Sequence, residues 1–379
     1  SVHGYGKGAA EMKKMNIPVG ISNFEKIRNG DFYYIDKSGL IAEILDEKAE
    51  VTLITRPRRF GKTLGMNMLE SFFDIRKDSR KLFEGLEIAD HQALCDEWMN
   101  QYPTIAISFR QIEGLNFTDA YQQLVYEIAF LYQNHAYLLD SPAISEQEKS
   151  LFRRISDRKA EKTDVLRSIQ FLTQLLNRHY NKKVILLIDE YDVPVAKANN
   201  NGYYKEMLDV MKGLMQALKD NQSLSFAVIT GCLKIAKESI FTGTNNFISD
   251  TITDSRLNEY FGFVQSEVDQ LLKDVGLTER ADDMKKWYDG YHFGDFDVYC
   301  PWDVMNYMLE LQRNPKAKPV SYWKNTSDNA IIRSFIDYAG GTITKKLETL
   351  MSGGCVVQRV DENLTYDYLH SSEDNLWSM

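Results

Sequence analysis

"VTLITRPRRFGKT", residues 51–63, decides the fold. A short apolar run ends at Thr55. Gly61-Lys62-Thr63 then completes the second half of the phosphate-binding pattern G-x-x-x-x-G-K-[ST]. The pattern's opening glycine would stand at position 56, where the chain has Arg56. A phosphate cradle needs backbone N–H groups around a helix N-terminus, a lysine that reaches the β- and γ-phosphates, and a hydroxyl for magnesium. Gly61 permits close backbone approach, Lys62 supplies the charge and Thr63 the hydroxyl. The context agrees, because an amphipathic run, "TLGMNMLESFFDI" (63–75), follows with Leu64, Met68, Leu69 and Phe72 at helical spacing. Pro57 stiffens the turn, and a long side chain at 56 can point away. Arg56, Arg58 and Arg59 would place positive charge beside a polyphosphate. The competing reading of the loop is a basic turn before a helix.

A second stretch weighs against that reading. "KVILLID" (183–189) is the strongest strand signal in the chain and runs into Asp189-Glu190. A strand-terminal aspartate lies at the carboxyl edge of an open α/β sheet, where such sheets bind ligands. Asp189 can hold magnesium together with Thr63, and Glu190 can orient and deprotonate an attacking water. The alternative is an N-cap followed by a first-turn acid. "LSFAVIT" (224–230) ends in Thr230, which could sense a γ-phosphate or simply end a strand. The strand ending at Thr230 is expected to lie between those ending at Thr55 and Asp189, which leaves space for the γ-phosphate and its water. Direct adjacency of the outer two would instead favour kinase-like chemistry. No N-K-x-D guanine-reading motif occurs, so ATP is expected rather than GTP.

Outward from these motifs, "TIAISF" (104–109) is a further strand, and "EYFGFV" (259–264) is expected to be another. The run starting "FTDAYQQLVYEIAF" at Phe117 is a long helix with Thr118 as its cap. "DVLRSIQFLTQLLNRHY" and "YYKEMLDVMKGLMQALKD" are also helical. Near-continuous apolar strands alternating with helices predict a parallel sheet covered on both faces. Beyond about residue 264 the pattern becomes helical, interrupted by a small hairpin within "GDFDVYCPW". The expected organisation is a disordered start (1–17), an ATPase-type α/β domain (18–264), a mostly helical domain (265–350) and a linker or the start of a further module (351–379).

The bulk numbers limit the alternatives. The chain has 379 residues, 44% of them hydrophobic, and a formal net charge of −9, which argues against a general nucleic-acid coat. Its four cysteines, Cys95, Cys232, Cys300 and Cys355, lack zinc spacing, as in a reduced, cytoplasmic protein. No apolar run approaches the roughly 20 residues of a membrane helix.

The stretches "PVGISNFEKIRNGDFYYIDKSGLI", "LITRPRRFGKTLGMNMLESFF", "LIDEYDVP", "ITGCLKIAKESIFTGTNNF" and "WYDGYHFGDFDVYCPW" together resemble the AAA-ATPase-like family of bacterial proteins. In that family R-P-R-R-F-G-K-[ST] is the form the phosphate loop takes, so Arg56, Pro57, Arg58, Arg59, Phe60, Gly61, Lys62, Thr63 and Leu64 are implied to surround the nucleotide. The resemblance implies a P-loop NTPase of the additional-strand class, with ATP and magnesium. Members often continue into a PD-(D/E)XK nuclease-like module. No E/D-x-K pair is evident before the end at "LHSSEDNLWSM", so that module is expected to be absent. By the same resemblance Asp36 and Lys37 lie beside the adenine, the alternative being Asp36 as a helix cap. Arg256 is a candidate arginine finger or a surface arginine. The aromatics Trp287, Tyr288, Tyr291, Phe293 and Trp302 could stack nucleic-acid bases or form a small core. His292 among them has no evident metal partner. The expected activity is ATP hydrolysis coupled to a protein partner or nuclease-like module. A nucleotide-dependent scaffold with little hydrolysis is the alternative, and a small-molecule kinase a third.

Overall fold

The computed structural model describes residues 14–233, 240–322, 341–352 and 354–359. Residues 1–13 of the start expected to be disordered, and most of the expected linker, therefore lie outside the described residues, whereas Ile17 is buried. Five parallel strands form the central sheet: β1 (Val51–Thr55), β2 (Thr104–Ser108), β3 (Val184–Asp189), β4 (Leu224–Gly231) and β5 (Phe247–Asp250). Their order is β2-β3-β4-β1-β5. The strand carrying Thr230 lies between the strands that end at Thr55 and Asp189, as expected.

Alternation along the strands explains why both faces are covered. Val51 and Leu53, with Val184, Leu186, Ile188, Ala227 and Ile229, enter one core. That core is closed by the helices Phe117–Gln133, Ser168–Tyr180 and Tyr204–Leu214. The intervening residues Ile54, Ile185, Leu187, Phe226 and Val228 enter the opposite core, beneath the helices Gly39–Glu47 and Lys62–Phe73. All of β1 and β3 is buried, so neither strand shows a polar face in the sequence.

A third core gathers the helices Gln265–Val275, Ala281–Tyr288 and Pro301–Arg313, and it includes Ile17 and Ile35 from the start of the chain. A hairpin of β6 (Tyr291–Phe293) and β7 (Phe296–Val298) packs with Phe60 and Cys300 in a small core of its own. Among the described residues no helix is long and apolar enough to cross a membrane, and all four cysteines are free thiols.

Several local expectations are corrected. The cap of the helix Phe117–Gln133 is Asn116, whose side chain accepts from Asp119 N at 2.9 Å, because Asn116 is extended whereas Thr118 already lies in the first turn. The segment 259–264 is not a strand. Asn258–Tyr260 forms a tight turn, Gly262 has φ +126°, and a single bridge pairs Phe263 with Tyr299. The run 164–180 breaks at Arg167, and 203–220 tightens into a 3-10 turn after Leu214. The edge strand β5 was not anticipated.

Candidate functional site

The loop from β1 to the next helix carries the lysine. Arg56 N still bonds Gly231 O (3.2 Å), extending the sheet by one residue. Gly61, with φ +85°, then turns the chain into the helix Lys62–Phe73. A side chain at Gly61 would meet nothing within 4 Å, so the left-handed backbone alone favours glycine there. The Lys62 ammonium lies back across the loop, 2.8 Å from each of the carbonyls of Arg56 and Pro57.

Asp189, at the end of β3, links the start of the helix Lys62–Phe73 to the end of β4. Its Oδ2 accepts from the Thr63 hydroxyl at 2.7 Å, and its Oδ1 accepts from the Thr230 hydroxyl. Glu190, the next residue, sits in the left-handed region at φ +54°, a costly conformation for a side chain of this kind. Tyr191 N reaches Thr230 O at 3.0 Å, which fixes the turn. Among the described residues the Glu190 carboxylate accepts no hydrogen bond. Burial, and then the charge of Asp189, push its pKa up, while Arg110 and Lys62 oppose the rise.

Arg110 and Asp192 belong to this site and escaped the sequence reading. The pairing Ser108↔Asp189 and the bond from Phe109 N to Asp189 O (3.0 Å) place Arg110 at the sheet edge next to Glu190. Its position two residues past a strand end was the available signal. Asp192 is buried, and its Oδ2 accepts from Cys232 N and Leu233 N, each at 3.0 Å, pinning the chain after β4. Among the described residues its Oδ1 has no hydrogen-bond partner. Burial raises its pKa, against the pull of those two amides.

Other expected site residues are engaged elsewhere. Arg56 is fully buried, and its guanidinium binds Asp250 Oδ1 (2.6 Å) and Asn258 Oδ1 (2.7 Å). It therefore adds no free charge at the loop, because β5 supplies a counter-ion under it. Arg58 is exposed. Arg59 lies over the Trp302 ring at 3.9 Å, and Phe60 is buried against Tyr291 and Phe293. Leu64 packs on the core beneath the loop. Asp36 Oδ1 accepts from Ser38 N and its Oδ2 from Glu87 N, joining two backbone segments, while the cap position of the helix Gly39–Glu47 is Ser38. Lys37 bonds Glu259 O and the Glu267 carboxylate at 2.6 Å, tying the start of the chain to the helix Gln265–Val275. Arg256 lies 3.1 Å from the Glu47 carboxylate. Of the aromatics, Tyr288 and Phe293 are buried, as a core requires. His292 pairs with Asp297 across the hairpin at 2.8 Å.

A magnesium ion fits the Thr63–Asp189 pair, one hydroxyl and one carboxylate already in contact. Among the described residues no three His, Cys, Asp or Glu side chains gather as a metal cage. The ion would take its remaining ligands from phosphate and water, as magnesium commonly does.

With this geometry in place, the comparisons with known proteins are decisive for the family. A family model described as "Predicted AAA-ATPase" matches residues 18–241. The chain belongs to this AAA-ATPase-like family. A curated relative from Azotobacter chroococcum mcd 1, described as "Uncharacterized protein in vnfD 5'region", is 29% identical over 318 residues. That alignment covers 83% of this chain and 55% of the relative, so the chain spans about half the length of the relative it matches. The matched family span holds Lys62, Thr63, Asp189, Glu190 and Thr230 but ends before the hairpin that packs on the loop.

Proposed function

We propose that the chain is a magnesium-dependent ATP hydrolase of the additional-strand class of P-loop proteins. The observation that carries this reading is the double engagement of Asp189, which joins the hydroxyl beside the Lys62 loop to the hydroxyl at the end of the inserted strand. In this reading Lys62 leaves the two loop carbonyls for the β- and γ-phosphates, a charge-assisted and therefore stronger partner. Thr63 and Asp189 hold the magnesium ion, which when bound would stabilise charge developing on the phosphates. Glu190 takes the proton of the attacking water, and among the described residues no hydrogen bond occupies its carboxylate. Thr230 orients the γ-phosphate from the middle of the site. Arg256, held by Glu47, is the weaker choice for an arginine finger. Arg110 is better placed to act on Glu190.

The cycle would regulate or drive a protein partner or an appended nuclease-like module through the helical region after residue 264. Phosphate release by the purified chain, compared with Glu190→Gln, tests the reading. General-base loss typically costs about 100- to 10,000-fold in rate, with ATP affinity retained. Tight ATP binding with no release in either protein would favour the alternative, a nucleotide-dependent switch or scaffold.

A further inference from the structure

The phosphate loop is not free on its outer side. Its residues Arg59 and Phe60 are both occupied by sequence more than 200 positions further along the chain. The Arg59 guanidinium lies 3.9 Å from the centre of the Trp302 ring. Phe60 is completely buried in a small core of its own with Phe293, Val298 and Cys300. Its ring centroid is 4.8 Å from that of Tyr291 and 5.1 Å from that of Phe293. The Cys300 thiol points at Arg59 O at 3.6 Å. Gly262 marks how closely the two parts approach. A Cβ there would lie 3.0 Å from Val298 and 3.3 Å from Phe60, and its φ of +126° excludes ordinary side chains.

We infer that the hairpin 291–298 and the first turn of the helix Pro301–Arg313 form the outer wall of the nucleotide site, with Trp302 and Phe293 as positioning residues that hold the loop in its phosphate-binding shape. The inference rests on the nucleotide reading above and deepens it by completing the site with residues beyond the matched family span. The physical reason is preorganisation. Arg59 has φ +69°, which a non-glycine residue keeps only when its surroundings impose it. The stacked guanidinium and the buried Phe60 ring impose it here. The Lys62 ammonium is held by carbonyls of this same loop, so the wall also sets where the lysine waits. A loop already in its binding conformation spends less of its affinity on ordering itself. The same contacts give the helical region a direct grip on the loop that ATP would occupy.

Two readouts on the full chain decide the matter, using Trp302→Ala and Trp302→Phe. The first, without nucleotide, is the rate of tryptic cleavage of the Arg59–Phe60 bond, judged against thermal melting of the whole protein. The second is ATP affinity by calorimetry. Losing the stacked ring should speed cleavage and weaken ATP binding, each by roughly threefold to thirtyfold. The phenylalanine variant, which keeps an aromatic face, should recover most of both. Arg59→Ala removes the contact from the loop side without touching the packing of the helix Pro301–Arg313, and should weaken ATP binding by a similar factor if Trp302→Ala fails to fold. Wild-type cleavage and wild-type affinity in Trp302→Ala would overturn the inference, as would unchanged affinity in Arg59→Ala when Trp302→Ala does not fold. A wild-type chain that binds no ATP would instead remove the nucleotide reading, and the cleavage rates alone would then decide whether the wall holds the loop.

Discussion

Replacing Arg56 by glycine would restore the residue that ordinary phosphate loops carry at this position, and on the motif alone it should be harmless. The structure predicts the opposite. Arg56 is fully buried and Asp250 is 2% exposed. The guanidinium donates to Thr55 O and Asp250 O at 2.8 Å, to Asp250 Oδ1 at 2.6 Å and to Asn258 Oδ1 at 2.7 Å. Removing one partner of a buried pair leaves the other charged and unpaired, at a cost of about 3–5 kcal/mol. For a folding unit of a couple of hundred residues that is a fall of roughly 6–20 °C in Tm. Burial already pushes the Asp250 pKa up, and the Arg56 hydrogen bond and charge oppose it. Without Arg56 the upward push, joined by the charge of Asp254, loses its main opponent and keeps the weaker one, Arg256. Folded Asp250 then binds a proton more readily than unfolded Asp250, so the variant loses stability as pH rises through the folded value. The deficit should accordingly be larger near pH 8 than near pH 5. Adding Asp250→Asn removes the stranded charge and should recover much of the loss. Thermal melts and urea midpoints at both pH values measure this. A glycine variant that melts with wild type at both, and loses only ATP affinity, would refute the structural role and return Arg56 to the phosphates.

Three further outcomes are expected. Lys62→Ala should weaken ATP binding by about 2–5 kcal/mol, the cost of deleting one member of a desolvated charge pair, while calorimetry on the wild type gives the reference; equal affinities would sink the cradle assignment. Glu190→Gln should melt above wild type at neutral pH, because burial raises the Glu190 pKa and stability is therefore lost as pH rises through it; the two proteins should melt together below the unfolded value of about 4.3, and a variant that melts lower at neutral pH would contradict this. Arg110→Ala removes a cation that lowers the Glu190 pKa, so the acid limb of the kcat–pH profile should move to higher pH, and an unmoved limb would separate Arg110 from the base.

What the sequence disclosed, and what it hid, divides along one physical line. Features whose cause is local were legible. The apolar run of β3 must be buried on both faces, and Gly61-Lys62-Thr63 can form its turn and helix start without distant help. The place of β4 between β1 and β3 came from chemistry instead, from the room a γ-phosphate needs beside Glu190, since apolar patterning carries no strand order. Features whose cause is distant were invisible. Phe247–Asp250 is a short, half-buried edge strand with too few apolar residues to register. Asp36 and Lys37 were placed by resemblance, and their bonds to Glu87, Glu259 and Glu267 lie too far along the chain to be read from the sequence. The cap at Asn116 shows that even local features are set by backbone conformation, which Thr118 has in the wrong state.

The arginine-rich form of the loop follows from the same division. An ordinary loop needs glycine at its entrance to turn without side-chain interference. Here Arg56 spends its side chain downward, into the counter-ion that β5 provides, and its carbonyl stays above to receive Lys62. Arg59 and Phe60 spend theirs outward, on Trp302 and the hairpin. Of the three arginines only Arg58 keeps an exposed side chain. A loop fastened from beneath by the sheet's edge strand and from outside by the C-terminal region has little need of glycine's freedom, because its shape is imposed by two separate cores. The cost is that the phosphate site cannot be assembled from the strand, loop and helix alone. The loop's geometry depends on residues from 250 to 302, so in the proposed reading a change that nucleotide makes in the loop would reach that region.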